Sequence, residues 1–161
     1  MTDRPVLFLH LGHHKTGSTF LQIAFRGAAT RLAEHGVVYL LDDAERSAGP
    51  MSITSGNFGK AFAAPGPTRA ALAASEGRSL LFSSESLPWR LRRLAPAALA
   101  DCAREAGFGE IRPLMFLRDP IPFAASFWSQ VVKRNGETRD LDGFVAAFDQ
   151  PEIHADALDV L

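Results

Sequence analysis

Two groups of residues could do chemistry on a phosphate-bearing ligand, and the first is the run Gly12-His13-His14-Lys15-Thr16-Gly17-Ser18-Thr19. It follows a short apolar segment and precedes a segment of helical periodicity. A loop between a buried strand and a helix start exposes successive backbone N–H groups, and the helix adds about half a positive charge at that end. Gly12 and Gly17 bracket the loop, and the hydroxyls of Thr16, Ser18 and Thr19 can meet phosphate oxygens or cap the helix. Lys15 and His14 add donors, the lysine as a movable point charge. The spacing differs from the nucleoside-triphosphate loop G-x-x-x-x-G-K-S/T, because Ser18 occupies the lysine slot and Lys15 lies inside the loop. That displacement weakens an ordinary ATP or GTP reading.

The second group is Arg118-Asp119-Pro120, with Ser126 eight positions after the arginine. Arg118 offers a planar fork for two charge-assisted bonds to a phosphate. Pro120 ends an extended segment and helps launch a helix, from which Ser126 could turn a hydroxyl to the same group. Alone, Arg118 reads equally well as a surface ion pair with Asp119 or another carboxylate.

Taken together and in this order, the two groups resemble the phosphate motifs of sulfotransferases that use 3′-phosphoadenosine 5′-phosphosulfate (PAPS), particularly the bacterial and glycan-modifying branches. The stretch His10 to Gln22 is similar to their 5′-phosphosulfate loop, and Arg118 with Ser126 to their 3′-phosphate site. The resemblance spans about His10 to Gln130. It implies sulfuryl transfer from PAPS to a hydroxyl or amine, leaving the desulfated product PAP, with no metal and with a small-molecule or glycan acceptor. It implies that Lys15 stabilises charge on the bridging oxygen as the 5′-phosphate leaves. It also implies a further strand, helices and a nucleotide-closing loop after the 3′-phosphate helix, so the single domain expected over 1–161 is read as the N-terminal part of such a fold or a shortened relative.

In-line transfer needs a base for the acceptor's proton. Glu85 is the candidate, since it follows a strand whose C-terminal end should face the ligand crevice, and Ser83-Ser84-Glu85 resembles the bacterial variant of the family's glutamate segment. A helix-capping role for Glu85 stays open. His10, His13 and His14 are rival bases; His10 reads more simply as a satisfied core residue, and His13 and His14 as loop donors. Trp89-Arg90-Leu91-Arg92-Arg93 could hold a sugar or acidic acceptor, or be a solvated basic face. Trp128 reads as core. No histidine pair has an acidic or thiol neighbour at metal-ligand spacing. A kinase with an atypical loop and a non-catalytic PAPS- or PAP-binding remnant are the competing functions.

Positioning these residues requires alternating strands and helices. Strands are expected over Val6–Leu9, Val37–Leu41, Ser79–Ser83 and Ile111–Leu117. Helices are expected over Ser18–His35, Thr68–Ser75, Pro96–Ala106, Pro122–Arg134 and Leu141–Phe148, with another opening near Pro151. Residues 42–77 are mostly a Ser/Gly/Ala/Pro-rich excursion of the kind that forms lids or substrate-facing loops. The alternation predicts an α/β fold: a doubly wound, mostly parallel sheet with helices on both faces, like that of P-loop nucleoside triphosphate hydrolases.

Composition bounds the rest. A chain of 161 residues that is 47% hydrophobic suits one domain with its own core. With 17 basic and 18 acidic side chains there is no excess of charge to make nucleic acid a default partner. Cys102 is the only cysteine, so an intrachain disulfide is excluded. No apolar run approaches the length of a membrane span, and the N-terminus lacks a signal-peptide pattern. A cytoplasmic enzyme or binding domain is expected.

Overall fold

The computed structural model describes residues 4–12, 15–41, 46–49, 52, 54, 56–57, 64–88, 91 and 95–147. Four strands, β1 (Val6–Leu11), β2 (Val37–Val38), β3 (Ser79–Ser84) and β4 (Glu110–Leu114), form one open sheet in the order β2-β3-β1-β4. Every pairing is parallel, with Leu7 opposite Leu80 and Ile111, and Val38 opposite Leu80. Helices described in full are α1 (Ser18–Gly27), α2 (Ala29–Glu34), α3 (Pro65–Ala73), α4 (Pro96–Glu105), α5 (Pro120–Asn135) and α6 (Leu141–Ala146). Among the described residues no helix is long and apolar enough to cross a membrane.

The period-2 alternation of a strand splits β1 between two layers. Leu7, Leu9 and Leu11 join Leu80 and Phe82 in a core closed by Leu72 of α3 and by Leu99, Cys102 and Ala103 of α4. On the opposite face His10 meets the ring of Phe25 from α1. A strand covered on both faces cannot carry alternating polar residues, which is why Val6–Leu9 of β1 reads as an unbroken apolar run. Helices therefore cover both faces of a parallel sheet, as the alternation predicts.

Several boundaries move. The helix expected to run to His35 breaks at Ala28, and α2 restarts at Ala29. The helix expected from Pro122 begins at Pro120, because Asp119 Oδ1 accepts the Ile121 N–H at 2.9 Å and proline suits the first helical turn. The helix expected from Thr68 begins at Pro65 for the same proline reason. β4 ends at Leu114 rather than Leu117, and α6 ends at Ala146. Phe148 and Pro151 lie outside the described residues.

β2 pairs over two residues, not the five expected. Beyond Val38 the edge of β3 is completed by one side chain instead. Asn57 Nδ2 donates to the Leu81 carbonyl at 2.9 Å, and its Oδ1 accepts the Ser83 N–H at 2.9 Å. The carboxamide thus does the work of a neighbouring peptide. Gly56 makes the approach feasible: its φ is 90°, and a Cβ there would lie 1.8 Å from the Ser83 carbonyl oxygen.

Asn57→Ala should cost about 2–4 kcal/mol, since it leaves one buried donor and one buried acceptor unpaired. Gly56→Ala should cost at least as much through clash and positive-φ strain. Urea unfolding of both variants checks this, and midpoints within error of wild type would show that the β3 edge does not depend on them.

Candidate functional site

The C-terminal ends of β1 and β3 lie side by side, and the chain leaves them toward opposite faces of the sheet. That divergence opens the crevice in which α/β sheets bind ligands. At its base the Gly12 N–H donates to the Ser84 carbonyl at 3.0 Å. A Cβ on Gly12 would come within 3.1 Å of Ser18 Cβ and of the Ser84 oxygen, and 3.2 Å from the Glu85 nitrogen. Glycine here allows the loop after β1 to rest directly on the end of β3.

The loop then turns through two left-handed residues, Lys15 at φ 64° and Gly17 at φ 86°. Glycine adopts that conformation freely, whereas a lysine pays about 1 kcal/mol for it. Arg118 offsets this cost, its Nη1 donating to the Lys15 carbonyl at 3.2 Å across 103 residues of sequence. Gly17 caps α1 without a side-chain hydrogen bond, and the first turn of α1 holds no acidic residue. Its free N–H groups and dipole are those of a helix end suited to an anion.

Ser18 neither caps the helix nor faces solvent. It is buried, and its Oγ donates to Glu85 Oε1 at 2.5 Å. Ser84 and Ser86 organise the turn that carries Glu85, their hydroxyls 3.0 Å apart and the Ser86 N–H donating to Ser84 Oγ. Glu85 is half-buried, as are Thr16 and Thr19, while Gly17 is exposed. The structure thus brings together Gly12, Lys15, Thr16, Gly17, Ser18, Thr19 and Glu85 at one end of the sheet. His13, His14, Trp89, Arg90, Arg92 and Arg93 lie outside the described residues. Leu91, between them, is buried in the core.

Arg118 makes no ion pair with Asp119, which is occupied as the α5 cap. Ser126 lines a cleft of about 380 Å³ together with Lys15, and the same cleft takes in Ser129, Gln130, Lys133 and Arg134. Sequence reasoning passed over these last four. Their signal was there: they recur at helical spacing from Ser126, on the stripe that a helix presents to one neighbour. Trp128 is half-buried rather than fully core, its indole N–H donating to the Arg139 carbonyl at 2.9 Å. Among the described residues no group of three or more acidic, histidine or cysteine side chains could hold a metal ion.

His10 sits behind the loop, 1% exposed, with Nδ1 2.7 Å from Ser83 Oγ and its ring edge-on to Phe25 and Phe116. It is only half satisfied, since Nε2 is buried without a partner, as are both amide atoms of Gln22. Burial holds the His10 imidazole below its ordinary value of 6.5. A buried neutral ring shut off from the cleft is a poor proton acceptor for a substrate.

Comparison of the chain with protein-family models, with curated proteins and with solved structures gives no match.

The lowered His10 value has a consequence for stability. The unfolded chain takes up the proton first, so stability should fall as pH drops through 6.5 and should be regained above it. Melting temperatures between pH 7.5 and 5.5 should decline less steeply in His10→Gln than in wild type; equal slopes would show that His10 does not supply the linkage.

Proposed function

We propose that this chain binds PAPS in the cleft between the Lys15 loop and α5 and transfers its sulfuryl group to an acceptor hydroxyl or amine, on a P-loop-type sheet. The observation that carries the reading is the meeting of two motifs distant in sequence. Arg118 donates to the carbonyl of Lys15, and Ser126 shares a cleft with the Lys15 side chain. No acidic side chain lines that cleft, and an uncapped helix end opens beside it, so the residues fit a ligand with several negative charges.

PAPS supplies a sulfuryl group on a mixed anhydride with phosphate. As the acceptor oxygen bonds to sulfur, the bond from sulfur to the bridging oxygen breaks and the electron pair stays on PAP. Lys15 places its ammonium where that charge collects, joined by the N–H groups at the start of α1. Glu85 takes the acceptor's proton, and Ser18 holds the carboxylate in place through the 2.5 Å bond. Arg118 and Ser126 hold the 3′-phosphate, and Arg118 also fixes the backbone of Lys15. Gly12, His14, Thr16, Gly17, Ser18 and Thr19 complete the nucleotide grip.

One observation favours a second reading. A loop serine bonded to a carboxylate at the end of a neighbouring strand is also the arrangement by which P-loop enzymes hold magnesium for phosphoryl transfer. The displaced lysine speaks against it.

Calorimetry should detect PAP binding without metal, and Lys15→Ala and Arg118→Ala should each weaken it about 10- to 100-fold. Silence at high micromolar PAP, with binding of ATP and magnesium instead, would move the protein to phosphoryl transfer. Glu85→Gln should keep PAP affinity and lower transfer by about 10²- to 10⁴-fold. PAP binding with transfer unchanged in that variant would remove Glu85 as the base.

A further inference from the structure

The cleft holds two cations that lie outside both phosphate motifs. Lys133 and Arg134 line it with Lys15, past Ser126, Ser129 and Gln130. Among the described residues neither pairs with an acid, whereas Arg69, Arg78, Arg104, Arg112 and Arg139 each sit against a carboxylate. A chain of net charge −1 has acids enough to neutralise them. The C-terminal end of α5 favours a cation by about 0.3–1 kcal/mol on any side of the helix. That preference does not explain two of them facing a cleft with a third cation opposite.

Their distance from the serine assigned to the 3′-phosphate is also informative. Seven residues of helix separate Lys133 from Ser126, an axial rise of about 10 Å. With the nucleotide held by the Lys15 loop, Arg118 and Ser126, the two cations remain for another ligand. The carboxamide of Gln130 and the hydroxyl of Ser129 line the path between.

We propose that Lys133 and Arg134 form an anion subsite for the acceptor, so that the enzyme selects substrates already bearing a carboxylate, sulfate or phosphate. Ser129 and Gln130, between Ser126 and Lys133 on α5, hydrogen-bond the neighbouring polar groups of that acceptor. This rests on the sulfotransferase reading of the same cleft. It assigns the acceptor a class by charge, where the nucleotide motifs say nothing of it.

The test titrates inorganic sulfate into full-length protein saturated with PAP, followed by amide chemical shifts. Saturable shifts over residues 129–134 are expected. The double variant Lys133→Ala/Arg134→Ala should weaken sulfate at least about tenfold while changing PAP affinity less than about twofold, and Lys133→Arg/Arg134→Lys should keep both. The altered side chains are exposed, and an unchanged melting curve confirms folding. A double variant that loses PAP affinity would assign the cations to the nucleotide and overturn the subsite. So would sulfate shifts that never saturate or that the double variant leaves unchanged. If PAP does not bind at all, the sulfotransferase reading falls and the acceptor assignment falls with it. Sulfate titration of the free protein then shows separately whether the two cations hold an anion.

Discussion

The Gly12 N–H bond to the Ser84 carbonyl sets the distance between the loop after β1 and the end of β3, and much else is built on that distance. A Cβ at position 12 would crowd Ser18 Cβ at 3.1 Å and the Glu85 nitrogen at 3.2 Å, so glycine lets Ser18 meet Glu85 without displacement. With Ser18 bonded sideways to Glu85, the helix start behind it is left uncapped and its N–H groups remain available. A glycine N-cap in place of a side-chain cap costs an ordinary helix about a few tenths of a kcal/mol. Here the loss sits at the one place where an anion would recover it.

The same logic applies to Lys15. Its left-handed backbone is strained in isolation, and strain of that kind persists only where surrounding structure enforces it. One group that holds the Lys15 carbonyl is Arg118, from the segment after β4. The guanidinium therefore ties the loop after β1 to the segment that enters α5. This gives Arg118 a positioning role beside any direct contact with phosphate.

Buried polar groups gather at one end of β1 and β3. His10, Ser83, Ser84 and the amide of Gln22 are all buried near the C-terminal ends of β1 and β3. Asn57 spends its carboxamide on the open edge of β3, where β2 is too short to reach. On the other side of the sheet, Leu114, Phe116, Leu117 and Ile121 are exposed around the end of β4 and the start of α5. Among the described residues β4 has no strand on its outer side.

Local chemistry was legible in the sequence. The apolar run of β1, the glycines of the loop, the helical spacing of α4 and α5, and the order of the two phosphate-type motifs depend on residue type and short-range spacing alone. So does the parallel α/β class, because strands and helices that alternate have few other ways to bury their apolar faces. Tertiary structure decided the pairings that join distant segments. Ser18 chose Glu85 over capping its own helix, and Arg118 chose the Lys15 carbonyl over Asp119. Asn57 replaced most of a strand. Each of these groups has several partners of equal chemistry within reach of an unfolded chain, and only the packed sheet brings one of them to hydrogen-bond distance. The same holds for Lys133 and Arg134. A sequence shows two cations near a helix end, and only the fold turns them toward a cleft that Lys15 already shares.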